Sequence, residues 1–104
     1  MAQTRSDTAK AIGERLKLVR LAYAAVQSRV ISQSEMARLT GVGIAAWNNA
    51  ETGDNRLGLD NAMKVSRTTG VSLDYIYFGE RAGLPHALAV ELEKLENPKA
   101  GKRA

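Results

Sequence analysis

Few side chains in this 104-residue chain are suited to making or breaking a covalent bond. Cysteine is absent and there is a single histidine, His86. Thiolate nucleophiles, disulfides and thiolate metal sites are therefore excluded. His86 stands just after a proline, with no second imidazole to share a metal. Carboxylates crowd together at Glu91, Glu93 and Glu96, a spacing that could mimic an acid–base pair. No nucleophile–base set, metal cluster or phosphate loop accompanies them, so they read as the solvated face of a helix. No enzyme, metal or cofactor is expected. What remains is non-covalent chemistry. Gln33, Asn48 and Asn49 carry amides that both donate and accept. Arg5 and Lys10, near the start of a helix, are placed to reach a phosphate or to form a solvated basic face.

The overall balance agrees with that leaning. Net charge is +4, which mildly favours a polyanionic partner. The composition, 44% hydrophobic and 25% charged, is that of an ordinary soluble domain with one modest core. No apolar run approaches the roughly 20 residues that span a bilayer. The first ten residues, MAQTRSDTAK, lack the apolar core of a signal peptide. A cytoplasmic, nucleoid-associated protein is expected, with no membrane partner.

The amides must be positioned by the stretch Gln33–Gly53. Ser32-Gln33-Ser34-Glu35 is a capping box, in which the serine hydroxyl and the glutamate carboxylate each satisfy the other residue's backbone N–H. A helix therefore starts at Gln33, with Met36 and Ala37 turned inward and Leu39 a further candidate. Gly41 ends it, because a helix C-terminus wants the left-handed conformation that glycine adopts freely. Val42 plugs the turn and Gly43 takes the next N-cap position. A second helix over 44–51 turns Trp47 and Ala50 to the core, and Ile44, Ala45, Asn48 and Asn49 more outward. Two short helices across a tight turn make a helix-turn-helix.

Around this corner the pattern is helical throughout. Ser6 or Asp7 caps a first helix to about Tyr23, with Ile12, Leu16, Val19 and Tyr23 on one face. Residues 24–31 either extend that helix or form a loop, and Val26, Val30 and Ile31 are expected to be partly buried. A polar loop carries Arg56. Leu59, Ala62, Met63 and Ser66 form the inward stripe of a fourth helix ended by Gly70. Ser72 caps a fifth, with Leu73, Ile76 and Tyr77 as its apolar side. Pro85 suits the first position of a sixth. Leu84, Leu88, Leu92 and Leu95 recur along it, either packing on the chain's own core or pairing with a second copy. The expected fold is all-α, with five short helices over 8–79 and a C-terminal helix and basic tail over 80–104.

From Ile12 to Gly79 the chain resembles the helix-turn-helix domains of the Cro and phage-repressor type, often called the XRE family. The residues that carry the resemblance are Ile12-Gly13, Arg20, Ser32 to Ala37, Gly41-Val42, Glu51-Thr52-Gly53, Gly70 to Ile76, and Gly79. It implies a five-helix, lambda-repressor-like domain that binds double-stranded DNA. Such proteins are mostly bacterial or phage transcription regulators, commonly dimeric repressors. A minority are antitoxins with a toxin partner.

The resemblance also implies roles by position. Gln33 would meet a DNA phosphate together with its helix N-terminus. Gly43, Ile44, Ala45, Asn48 and Asn49 would lie on the recognition helix at the major groove. Asn49 is the foremost base reader, since its amide can pair with adenine at two points. Arg56 would contact the DNA backbone. Arg20 and Glu51 would form a partly buried, structural ion pair. Two departures bear on function. The corner between Arg20 and Gln33 is about half a dozen residues longer than usual. The recognition helix opens on Ile44-Ala45-Ala46, which is poor in polar groups. Apolar side chains can read thymine methyls, so weaker or narrower base reading is expected, and an antitoxin or protein-interaction module on the same fold is the alternative. Homodimerisation is expected, with the Leu84, Leu88, Leu92 and Leu95 stripe as its candidate surface.

Overall fold

A computed structural model describes residues 8–97. Among them the regular structure is entirely helical: α1 (Ala9–Val26), α2 (Gln33–Thr40), α3 (Ile44–Thr52), α4 (Leu59–Thr69), α5 (Leu73–Phe78) and α6 (His86–Glu96). Helix α1 runs through the middle and packs against α3, α5 and α6. None of the helices is long and apolar enough to cross a membrane.

Local chemistry sets most boundaries. The expected caps Ser6 and Asp7, and Arg5 beside them, lie outside the described residues. Thr8 caps α1 instead, its Oγ1 accepting from Ala11 N at 3.1 Å. The helix takes in Ala24, Ala25 and Val26, then turns at Ser28, which has φ 57°. Ile31 enters the core, but Val30 is 89% exposed at the tip of this corner rather than partly buried. Ser32 Oγ accepts from Glu35 N at 3.1 Å, one half of the capping box. The Glu35 carboxylate accepts from Arg29 Nη1 at 2.6 Å, so the elongated corner is tied to the first turn of α2.

Two apolar stripes differ from expectation. On α2, Met36, Ala37 and Thr40 are buried while Leu39 is exposed. On α4 the buried residues are Ala62, Val65 and Thr69, and Leu59 and Met63 face outward. The inward face is thus rotated by about a quarter turn, given about 3.6 residues per turn. The reason is Thr69. Its hydroxyl donates to Val65 O at 2.9 Å and accepts from Val71 N at 3.1 Å, so it can be buried without an unmet hydrogen bond.

Helix α6 starts at His86, with Pro85 at the N-cap position rather than inside the first turn. Leu88 and Leu92 are buried in the same core as Ile12, Leu16 and Val19, and Leu84 packs against it. The leucine stripe therefore belongs to this chain's own interior, which corrects its candidacy as a surface for a second copy. Leu95 alone of the four stays exposed. Glu93 stays on the solvated face expected of it, while Glu96, with its side chain 17% exposed, departs from it. Both pair with Arg81, and Glu96 Oε2 accepts from the buried Tyr75 hydroxyl at 2.6 Å. Helix α6 is thereby fastened to α5 and to the loop between them.

Candidate nucleic-acid interface

The helix-turn-helix is α2, the turn 41–43 and α3. Gly41 has φ 84°, in the left-handed region where a β-carbon is crowded. Val42 is buried between the two helices, and Gly43 opens α3 without a side-chain cap. On α3, Trp47 and Ala50 face the core. Behind it α1 comes unusually close. A β-carbon on Gly13 would lie 2.2 Å from Ala50 O and 2.7 Å from Glu51 O, so only glycine permits this approach.

Glu51 ties the unit together. Its carboxylate accepts from Arg20 Nε at 2.7 Å, Arg20 Nη2 at 3.2 Å, Gln33 Nε2 at 2.8 Å and Trp47 Nε1 at 2.6 Å. Arg20 Nη1 also donates to Ile31 O at 3.0 Å. One carboxylate thus joins α1, the corner before α2, the N-terminus of α2 and the C-terminal half of α3. Burial pushes the Glu51 carboxyl pKa up. The hydrogen bonds from Arg20, Gln33 and Trp47, with the guanidinium charge, outweigh this and hold it below the ordinary value. An ionised carboxylate with four donors in a half-dry site is a strong clamp. It ties the N-terminus of α2 to α3.

The remaining residues singled out from sequence fall as follows. Gln33 is half-buried at the first position of α2, and its amide N–H is directed to Glu51. Ile44, Ala45 and Ala46 are exposed. Asn48 and Asn49 are both half-buried, and Asn49 O accepts from Asn55 N of the following loop at 3.2 Å. Asn48 Oδ1 is buried and accepts no hydrogen bond. Thr52, not singled out from sequence, shares this side of α3. Its hydroxyl donates back to Asn48 O at 3.1 Å. Arg56 is exposed in the loop after α3. Burial raises the Tyr77 hydroxyl pKa, and the charge of nearby Arg56 works against that rise. Tyr77 also donates to Leu57 O at 2.9 Å, bracing the Arg56 loop against α5. Lys10 is exposed at the start of α1, where its Cα would lie 2.8 Å from a β-carbon on Gly53.

A further arginine of α1 is structural. Arg15 is 5% exposed, with Nε donating to Ile76 O and Nη2 to Tyr77 O, both at 2.9 Å. A cation at the C-terminus of α5 suits both the free carbonyls and the helix dipole. A signal for it was present: Arg15 lies three residues after Ile12 and four before Val19, on the buried face.

An all-helical domain whose second and third helices form a braced, outward-facing corner defines a helix-turn-helix protein. A family profile described as Helix-turn-helix matches residues 24–76, just over half of the chain. The chain belongs to that family, the DNA-binding helix-turn-helix domains of the Cro and phage-repressor type. Curated proteins and solved structures return no match.

Proposed function

We propose that the protein is a sequence-specific transcriptional regulator that binds double-stranded DNA as a homodimer, with α3 in the major groove. The observation that carries this reading is the division of α3 into two sides. Trp47, Ala50 and Glu51 lock it from within, while Ala45, Asn48, Asn49 and Thr52 line the opposite side. Gln33 and the free N–H groups of α2 stand at one end of this surface for a phosphate. Gln33 does so with its side chain partly committed to Glu51, so the backbone N–H groups carry more of that contact. Asn49 is the better two-point base reader, since a bidentate amide needs both its oxygen and its nitrogen and Asn48 Oδ1 is covered. Arg56 contacts the backbone beyond α3. The mechanism is repression by promoter occlusion on the nucleoid, without covalent chemistry.

In a two-fold dimer the recognition helices stand about 34–36 Å apart, one turn of DNA. The contact between copies must use surface outside the buried Leu88 and Leu92. Selection of bound sequences from a random DNA pool tests the reading. A palindromic winner, bound with an affinity that falls steeply with salt, is the expected result. Recovery of no sequence overturns it.

A second reading has one observation in its favour. The exposed start of α3, Ile44-Ala45-Ala46, offers no polar side chain. A protein-interaction module, such as an antitoxin bound to its toxin, would use this apolar turn without reading bases. Capture of a small protein partner by a chain that shifts no DNA would favour it.

A further inference from the structure

The outward side of α3 changes character along its length. Its first turn presents Ile44, Ala45 and Ala46, all exposed, and Ile44 leaves 54% of its surface in water. None of the three has a side-chain donor or acceptor, and the N-cap, Gly43, supplies none either. Amides begin only one turn later, at Asn48 and Asn49. A polar base edge pressed against such a turn would lose its water without gaining a partner, which is unfavourable. One group on the major-groove edge of a base pair is instead well matched by apolar contact, the 5-methyl of a pyrimidine. Thymine always carries it, and cytosine carries it once methylated. Side-chain size supports the same match. Ala45 and Ala46 each project a single carbon and let the helix start come close to the base edges. The longer Ile44 side chain then reaches a methyl in van der Waals contact.

We infer that the first turn of α3 recognises a pyrimidine 5-methyl group, with Ile44 as the residue that determines specificity. The operator half-site then holds a thymine, or a 5-methylcytosine, beneath that turn. This rests on the proposed placement of α3 in the major groove. A consequence is that the protein distinguishes methylated from unmethylated cytosine at that one position, because it reads the methyl and not the rest of the base.

The test uses the full chain and the duplex selected from the random pool. Each thymine of a half-site is replaced in turn by deoxyuridine, which removes only the 5-methyl, and Kd is measured by fluorescence anisotropy. One position is expected to weaken by about fourfold, the effect of withdrawing one buried methyl group. At that position, 5-methylcytosine paired with guanine should bind about fourfold tighter than cytosine paired with guanine, which separates the methyl from the base that carries it. Ile44→Ala, at an exposed position where alanine favours helix, should bind the thymine duplex as weakly as wild type binds the deoxyuridine one, and should lose the deoxyuridine effect. Tight, palindromic binding that no deoxyuridine weakens would overturn the inference and leave the proposed DNA reading intact. A deoxyuridine effect that survives in Ile44→Ala would remove Ile44 from the role. A pool that yields no bound sequence overturns both.

Discussion

The indole N–H of Trp47 donates to Glu51 Oε2 at 2.6 Å, one turn further along the same helix. Trp47, the largest fully buried side chain among the described residues, is therefore hydrogen-bonded to the acidic partner of an enclosed ion pair. Apolar anchoring of α3 and electrostatic clamping of α2 against α3 are one device. Loss of either part should be felt in the other.

Arg20→Ala removes the two strongest-charged donors to Glu51. The side chains are 13% and 3% exposed, so solvent screens the pair little. Stranding the carboxylate should cost about 3–5 kcal/mol. Urea titration followed by the fluorescence of Trp47, the single tryptophan, gives both the loss and its location. An unchanged midpoint would mean that Gln33 and Trp47 alone hold Glu51.

The same carboxylate should make stability depend on pH. Its pKa in the folded chain is below the ordinary 4.5, despite the upward push of burial. The unfolded chain therefore takes up a proton first as pH falls. The contribution of Glu51 is fully present above about pH 5 and is lost as pH drops through the lowered folded value. Glu51→Gln removes this titration, so the stability difference between wild type and variant should shrink on acidification. A difference that stays constant from neutral pH down to pH 3 would contradict the lowered pKa.

Much of the helix-turn-helix was legible in the sequence because its boundaries rest on local chemistry. Ser32, Gly41, Gly43, Ser72 and Gly70 act within a turn of their own position, and such signals survive without knowledge of the fold. The rest is not legible, in one case for a local reason and otherwise because the contacts are distant in sequence. The inward face of α4 cannot be read from its apolar stripe, because Thr69 is polar by type and is buried only through the bonds of its hydroxyl to Val65 O and from Val71 N. The period of α1 places Arg15 on the buried face, but its acceptors lie 61 and 62 residues away and leave no pattern that names them. The leucines of α6 could serve an internal core or an external one equally well by period alone, and only the packing against α1 decides between them. Glu96 and Tyr75, 21 residues apart, give no sequence pattern that pairs them.

Gly13→Ala sets two effects against each other. Alanine in a helix interior gains up to about 1 kcal/mol over glycine. Against this, the new carbon would sit 2.2 Å and 2.7 Å from two backbone oxygens of α3, which cannot swing aside as a side chain can. Separation of α1 from α3 should outweigh the helical gain and leave a net loss of about 1–3 kcal/mol. A variant more stable than wild type in thermal unfolding would show that the two helices part freely.

Arg15→Met keeps the apolar stem and removes the guanidinium. The carbonyls of Ile76 and Tyr77 lose their charged donors, and the expected cost is about 1.5–3 kcal/mol. Arg15→Lys should recover only part of it, because an ammonium cannot reproduce the two-pronged geometry. Hydrogen exchange should quicken in α5 before it does so in α2 and α3. Uniform exchange across the domain would argue against a local capping role.

Asn49→Ala and Arg56→Ala separate reading from holding. If Asn49 pairs with an adenine, its loss should cost about 1–3 kcal/mol on the selected operator and relax the preference at one base position. Arg56, on the loop braced by Tyr77, should instead weaken selected and random duplexes alike and lower the salt slope by about one unit. The two variants must therefore differ in the ratio of specific to non-specific affinity, which falls for Asn49→Ala and stays constant for Arg56→Ala. Competition binding at two salt concentrations measures that ratio directly. If Asn49→Ala keeps the wild-type ratio, base reading passes to Asn48, Thr52 and the apolar first turn, and the two-point amide contact is removed from the interface.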